Sequence, residues 1–212
     1  MAVYDLEEQE KLDAVKAWWK DNGRMVILGV IAFVVAVAAV QGWRYYKQTR
    51  ALQAATLYGQ LLESVQARDP KKVEGLAAIL VKEHADSGYA ALASLTAAKA
   101  SVDAGNLAAA KDNLTWAADR ARDDATRDIA RLRLAAVLMD EKRYDEALQQ
   151  LDAKHTEATA PLFAELRGDV LSLQGKVPEA RAAYKAAADK LPIGSNPRNL
   201  VQIKLDALGE AP

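Results

Sequence analysis

Polar side chains disappear from the chain between Arg24 and Gln41, where Met25 to Val40 read MVILGVIAFVVAVAAV. Extended to Trp43, the stretch gives about 28 Å of helix at ~1.5 Å per residue, close to a hydrocarbon core of roughly 30 Å. Its Val, Ile, Leu and Phe residues each favour insertion by about 0.3–0.6 kcal/mol near the bilayer centre, and no central charge opposes them. Trp18 and Trp19 precede it, and Trp43, Tyr45 and Tyr46 follow it, as interfacial rings do. Arg24 and Arg44 close the ends with stems long enough to snorkel. The pattern predicts a transmembrane helix over residues 25–43.

Two other assignments compete. A buried core helix this apolar would need cover on every side, which the rest of the chain is too small to give. A cleaved signal peptide is the stronger rival, because Ala36-Val37-Ala38 resembles a cleavage site after an apolar run. Against it, residues 1–24 carry six acids, whereas signal n-regions are short and basic. Orientation is nearly undecided by charge. Lys11, Lys16, Lys20 and Arg24 precede the span and Arg44, Lys47 and Arg50 follow it, a small bias towards a cytoplasmic N-terminus.

Beyond the span the helical pattern continues. Leu52, Ala55, Tyr58, Leu62 and Val65 form one apolar stripe at three- and four-residue steps. Asp69-Pro70 ends it, since proline disfavours the α conformation in the preceding residue. A second stripe follows at Val73, Leu76, Ala77, Leu80 and Val81. Further breaks fall at Ser87-Gly88, Gly105-Asn106, Asp123-Asp124, Lys142-Arg143, around Thr156 and at Gly175. The segments between them have the length of helices in hairpins. Pro192, Gly194 and Pro197 precede a short helix predicted at 200–208, which would cap the array or stay mobile.

These segments repeat. Aligned on Ala110, Ala147 and Ala180, the chain places Ala97, Leu134 and Arg167 thirteen residues earlier and Ala98, Ala135 and Gly168 twelve earlier. Leu114, Leu151 and Tyr184 stand four residues after. The intervening turns are Gly105-Asn106-Leu107, Lys142-Arg143-Tyr144 and Gly175-Lys176-Val177. This is the roughly 34-residue tetratricopeptide period, with small residues where paired helices touch. Residues 57–84 make a degenerate first unit. The alternative is an irregular helical bundle with accidental spacing. The fold class expected is all-α, a single N-terminal transmembrane helix followed by a tetratricopeptide-like helical-hairpin array.

Such an array leaves a groove lined by the first helix of each hairpin. The groove-facing positions are Leu92, Leu95, Lys99 and Val102, then Ile129, Leu132, Ala136 and Met139, then Leu162, Glu165, Asp169 and Ser172. This mixed surface suits a peptide or partner helix. The competing assignment makes several of these leucines core, and Leu132→Asp with Met139→Glu separates the two: partner loss in a folded chain marks a groove, unfolding marks core.

Composition removes other classes. The net charge is −1 with both signs interspersed, so no basic face for nucleic acid is present. With no cysteine, disulfides, thiolate metal sites and Cys nucleophiles are excluded. His84 and His155 are the only histidines and form no metal-binding pair. His155, after Lys154 at a predicted helix end, is assigned a capping role on the surface. Phosphate-binding glycine loops and nucleophile elbows are absent. Glu7-Glu8 and Asp123-Asp124 are explained as solvated surface or helix starts, and Asn113-Leu114-Thr115 fits a glycosylation pattern inside a helix. No catalytic site, cofactor, metal or small-molecule substrate is expected. Glu165 with Asp169 is the one carboxylate pair to inspect for acid–base chemistry.

Several stretches carry a family resemblance. Ala14-Val15-Lys16-Ala17-Trp18-Trp19, Asp21-Asn22-Gly23 and Gly42-Trp43-Arg44-Tyr45-Tyr46 flank the span. Tyr89-Ala90-Ala91-Leu92-Ala93-Ser94-Leu95, Leu132-Arg133-Leu134-Ala135, Leu166-Arg167-Gly168, Gly175 and Ala180-Arg181 lie in the repeats. Together they resemble the YfgM-type ancillary subunits of the bacterial Sec translocon, tetratricopeptide-like inner-membrane proteins. One departure is Gly88 before Tyr89 where the family commonly has Tyr-Gly-Ala-Leu-Ala, which would shift the helix start by a residue. The resemblance implies a cytoplasmic segment at residues 1–24, the span at 25–43 and a periplasmic domain at 44–212. It also implies partners: the lipid bilayer, SecYEG, and a membrane-anchored periplasmic chaperone of the prolyl-isomerase type, with the chain assisting newly exported proteins. The alternative function is a regulatory protein that sequesters a signalling partner through its groove or acidic N-terminal segment.

Overall fold

Five of the described helices begin where the sequence supplies a capping oxygen. The computed structural model describes residues 2–209, with the backbone alone for residues 2–7. Among them there is helix and loop but no strand, in the order α1 (Ala2–Gln66), α2 (Pro70–Glu83), α3 (Gly88–Asp103), α4 (Leu107–Arg120), α5 (Asp124–Asp140), α6 (Tyr144–Asp152), α7 (Ala160–Leu173), α8 (Val177–Lys190) and α9 (Asn196–Ala207). The side chains of Asp69, Ser87, Asn106, Asp123 and Ser195 accept from the first-turn amides of Lys72, Ala90, Ala109, Thr126 and Arg198. Each satisfies a donor that the helix leaves unpaired. With Ser87 as cap, α3 starts at Gly88, one residue ahead of Tyr89.

The chain divides into two compact units, Met1–Leu52 and Gln53–Pro212. In the first, Trp18 and Trp19 lie with ring centroids 6.5 Å apart, and Gly23 leaves room for the Trp19 indole, which a Cβ would meet at 3.2 Å. The most apolar window of α1 is wholly uncovered and has a mean hydropathy of 2.5. Phe33 is 69% exposed. A core helix would be covered, so that assignment is set aside. At the far end Lys47 lies over the Trp43 ring and Arg50 over Tyr46, pairing each cation with an aromatic face.

The second unit is a series of hairpins. The last turns of α1 pair with α2, α3 with α4, α5 with α6 and α7 with α8, and α9 packs on α8. Arg68, Gly105, Lys142 and Gly175 each adopt positive φ at the turn between paired helices. The amide after each donates five residues back: Asp69 to Ser64, Asn106 to Ser101, Arg143 to Leu138 and Lys176 to Leu171, at 2.8–3.0 Å. This left-handed closure satisfies the helix's last carbonyls. Its recurrence at Arg68 shows that the degenerate first unit has the same turn as the others.

The interior follows the alignment. Ala110, Ala147 and Ala180 are fully buried, and Leu114, Leu151 and Tyr184 nearly so. In the three clear units a small residue on the first helix is matched by a large one on the second: Ala98 with Leu114, Ala135 with Leu151, Gly168 with Tyr184. The first unit reverses the sizes, with Leu61 and Ala77 at the corresponding places in its own core. The buried positions there are offset from the apolar stripe by a residue or more. Ala54, Leu61 and Ser64 are buried, whereas Leu52 is 62% exposed and Leu62 41%.

An added Cβ at Gly168 would sit 2.5 Å from two Tyr184 ring carbons. The ring cannot retreat, being buried and tied through its hydroxyl to Asp169 at 2.7 Å. Gly168→Ala is therefore expected to lose about 1–3 kcal/mol through overpacking, against a helix-propensity gain of about 1 kcal/mol. A lower denaturant midpoint checks this, and an unchanged or raised midpoint contradicts it.

The tail differs from expectation. α9 starts at Asn196, so Pro197 lies in its first turn, where a missing amide hydrogen does no harm. The helix is held in place: Val201 is buried against Ala180, Tyr184, Ala187 and Ala188. Arg198 donates to the Leu191 carbonyl at 2.9 Å.

Candidate functional site

The expected groove positions divide into four groups, with Val102 in two of them. Leu92 (43% exposed), Val102 (40%), Ile129 (39%) and Leu162 (47%) present aliphatic surface to solvent. Leu95 is buried, and Leu132 and Met139 are half-buried against the same core as Leu114 and Phe163. Leu132→Asp with Met139→Glu would therefore disturb the core, which makes Leu92, Ile129 and Leu162 the better probes of a groove. Lys99, Val102 and Ala136 line one cleft of about 380 Å³ between α3 and α5, together with Leu114, Arg133 and Val137.

The fourth group is Glu165 and Asp169, with Ser172 half-buried a turn beyond. The Lys204 ammonium of α9 donates to Glu165 Oε1 at 2.7 Å and to Asp169 Oδ2 at 2.9 Å. Asp169 also accepts from the Tyr184 hydroxyl. Both carboxylates of the pair considered for acid–base chemistry are thus engaged in holding α9. Burial pushes the Tyr184 phenol up, and its bond to Asp169 adds to the shift. For Lys204, burial disfavours the charge, but hydrogen bonds to Asp169 and Glu165 outweigh it and raise the pKa above the usual lysine range. A raised lysine pKa stabilises α9 fully below the unfolded value of about 10.4 and ceases to do so as pH rises through the folded one. Lys204→Met should speed amide exchange in α9 about 5–30-fold, equivalent to about 1–2 kcal/mol, with little change in α3. Equal exchange in variant and parent would contradict this link.

Aligning the turns shows a continuation that the sequence reading did not carry into the groove. The positions thirty-seven residues before Leu92, Leu95, Lys99 and Val102 are Ala55, Tyr58, Leu62 and Val65. The apolar stripe thus occupies the groove register of the first unit, with Leu62 and Val65 exposed and Tyr58 half-buried. Its 3–4 spacing was the available signal. The surface runs from apolar in the first unit to charged in the fourth.

Other sequence candidates have structural partners. Asp123 caps α5. Asn113 lies within α4 and donates to Glu74 and the Ala109 carbonyl. His155 stacks on Phe163 with ring centroids 4.1 Å apart, and its Nδ1 lies 2.9 Å from the carbonyl of Ala153, the C-cap of α6. It is half-buried rather than a surface cap. His84 is the buried C-cap of α2. Among the described residues no three His, Cys, Asp or Glu side chains converge as a metal site would require. The Glu7-Glu8 pair includes a side chain outside the described residues.

One strong polar site had no local signal. Asp128 is buried, and its Oδ2 accepts from the Thr156 amide (2.8 Å), Thr156 Oγ1 (2.8 Å) and Thr159 Oγ1 (2.7 Å). It fixes the start of α7 to α5 across a gap of about thirty residues.

Comparison with known proteins bears on these features together. Residues 16–210 match the model of a tetratricopeptide repeat-like domain. A Neisseria gonorrhoeae protein named "Ancillary SecYEG translocon subunit" is 33% identical over 96% of this chain and 98% of its own length. Proteins of the same name from Aggregatibacter actinomycetemcomitans and Escherichia coli are 31% and 30% identical, over 97% and 98% of this chain and 100% and 99% of theirs. With the uncovered apolar helix, the recurring turns and near-full-length similarity in agreement, the chain belongs to the family of ancillary SecYEG translocon subunits with a tetratricopeptide repeat-like domain.

Proposed function

We propose that this protein is a membrane-tethered interaction scaffold beside the Sec translocon, without catalytic activity of its own. Residues 1–24 face the cytoplasm, 25–43 cross the inner membrane, and 44–212 form a periplasmic domain. That domain assists a membrane-anchored chaperone of the prolyl-isomerase type with newly exported polypeptides. The observation that carries the reading is the union, in one chain, of an uncovered apolar helix with a hairpin array that exposes aliphatic side chains in successive units, among them Leu92, Ile129 and Leu162. The names of the relatives support the translocon as the site of action. Tethering raises the effective concentration of the domain near a channel, so weak contacts suffice. The small excess of basic residues before the span favours the stated orientation.

Affinity purification of the full chain from membranes in mild detergent is expected to bring down SecY-type subunits and a membrane-anchored prolyl-isomerase-type chaperone. A reporter fused at the C-terminus should be active only on the periplasmic side. Recovery of neither partner, or a cytoplasmic C-terminus, would overturn the reading. Capture of a cytoplasmic signalling protein by residues 1–24 would replace it with the regulatory one.

A further inference from the structure

We infer that residues 8–20 of α1 form an interfacial helix that lies along the bilayer surface, joined to the span by a bend at Asn22-Gly23. This rests on the reading of residues 25–43 as a transmembrane helix and adds a second, lateral contact with the same membrane. Leu12, Val15 and Trp19 follow one another at three- and four-residue steps, so they share one face of α1, with Trp18 at its edge. All four are between 50% and 63% exposed. Glu10, Asp13 and Lys20 lie on the opposite side, where Asp13 accepts from the Lys16 ammonium at 3.1 Å. A helix with one charged face and one apolar face bearing tryptophan has the make-up of helices that sink into the headgroup boundary.

Position identifies the bilayer as the cover. Trp19 stands six residues before Met25, where the span begins, so the stripe ends within about 9 Å of helix from the hydrocarbon. Charge agrees. Four acidic and four basic side chains from Glu8 to Arg24 leave no net charge, so apolar insertion rather than attraction to anionic lipid drives the contact. Bringing the stripe down needs a bend, and Asn22-Gly23 is the weakest place in the helix between stripe and span. Glycine is the poorest helix former after proline. The Asn22 side-chain amide donates to the Trp18 carbonyl at 3.1 Å, competing with the backbone for the acceptor of the helical bond. Gly23 also leaves the Trp19 indole room to lie back towards the span, where a Cβ would meet the ring at 3.2 Å.

The chain has no cysteine, so an introduced one reports a single position. The test places the full chain, one copy per disc, in phosphatidylcholine nanodiscs with a nitroxide at Glu10→Cys, Leu12→Cys, Asp13→Cys or Val15→Cys. Collision with a water-soluble nickel reagent should be slower by about 5-fold or more at Leu12 and Val15 than at Glu10 and Asp13. Nitroxides at Lys11→Cys and Val34→Cys together should lie about 24 Å apart across a right-angle bend, against about 35 Å along an unbent helix. Equal collision at all four positions, or the longer distance, overturns the inference. Shielding that appears only in native membranes also overturns it, and would mark the stripe as a protein-docking face. A single nitroxide at Val34→Cys separates the two readings: if it is shielded while the four others are not, the span stands and only the interfacial helix fails.

Discussion

Val34→Asp combined with Ala38→Asp is expected to move this protein out of the bilayer. The two positions are one helical turn apart near the centre of the 25–43 stretch, and Val34 is exposed in the folded chain. Each central aspartate opposes insertion by about 2.5–3.5 kcal/mol, whereas each aliphatic residue contributes only about 0.3–0.6 kcal/mol in its favour. Two acids therefore outweigh the whole apolar run. They have no protein groups to pair with, since that window of α1 is uncovered. After alkaline extraction of membranes, the parent should stay in the pellet and the double variant should be released or degraded. Retention of the variant would mean that the membrane link lies elsewhere. The same extraction should show an intact N-terminus on the parent, because a signal peptide would be removed near Ala38.

The largest effect within the repeat domain is expected from Asp128→Ala. Its carboxylate takes three hydrogen bonds at a site with 1% exposure, and hydrogen bonds to a charged group are worth about 1.5–3 kcal/mol each before non-additivity. The Thr156 and Thr159 hydroxyls lie 3.0 Å apart and can still bond to each other, which limits the loss to about 3 kcal/mol. For a domain of this size that lowers the melting temperature by about 6–12 °C. Asp128→Asn keeps an acceptor and should lose less.

The pH dependence is diagnostic. Burial raises the Asp128 pKa, but the Thr156 amide, the Thr159 and Thr156 hydroxyls and nearby His155 outweigh it and hold the group below the usual aspartate value. A depressed carboxylate pKa stabilises the fold fully above the unfolded value of about 3.9 and ceases to do so as pH falls through the folded one. The parent and the alanine variant should therefore converge in stability on acidification below about pH 4. A stability difference independent of pH would show that packing, not charge, sets the loss.

Local physics explains which features were legible in the sequence. The span announced itself through length and absence of charge, and the hairpin turns through Gly105, Gly175 and the Lys142-Arg143 pair. Repeat alignment found the Ala98–Leu114, Ala135–Leu151 and Gly168–Tyr184 matches because the small member always came first. The first unit escaped that pattern because Leu61 and Ala77 exchange sizes while remaining in one core. The stripe through Tyr58, Leu62 and Val65 did not identify itself as groove, because a groove face and a buried face share the same helical period. Asp128 and Lys204 were invisible for another reason: their partners lie roughly thirty to forty residues away. Only folding brings them together. Pro197 resembled a stop before α9, but a first-turn proline starts a helix as readily as it ends one.

In the proposed arrangement the groove side of the tethered repeat array meets the export machinery. Photo-crosslinking in intact membranes tests it, with the probe placed in turn at Ile129, at Leu162 and at the exposed Asp112 of α4. Adducts with SecY-type or prolyl-isomerase-type partners are expected from Ile129 and Leu162, and far fewer from Asp112. Equal labelling from all three sites, or none from the groove positions, would contradict it.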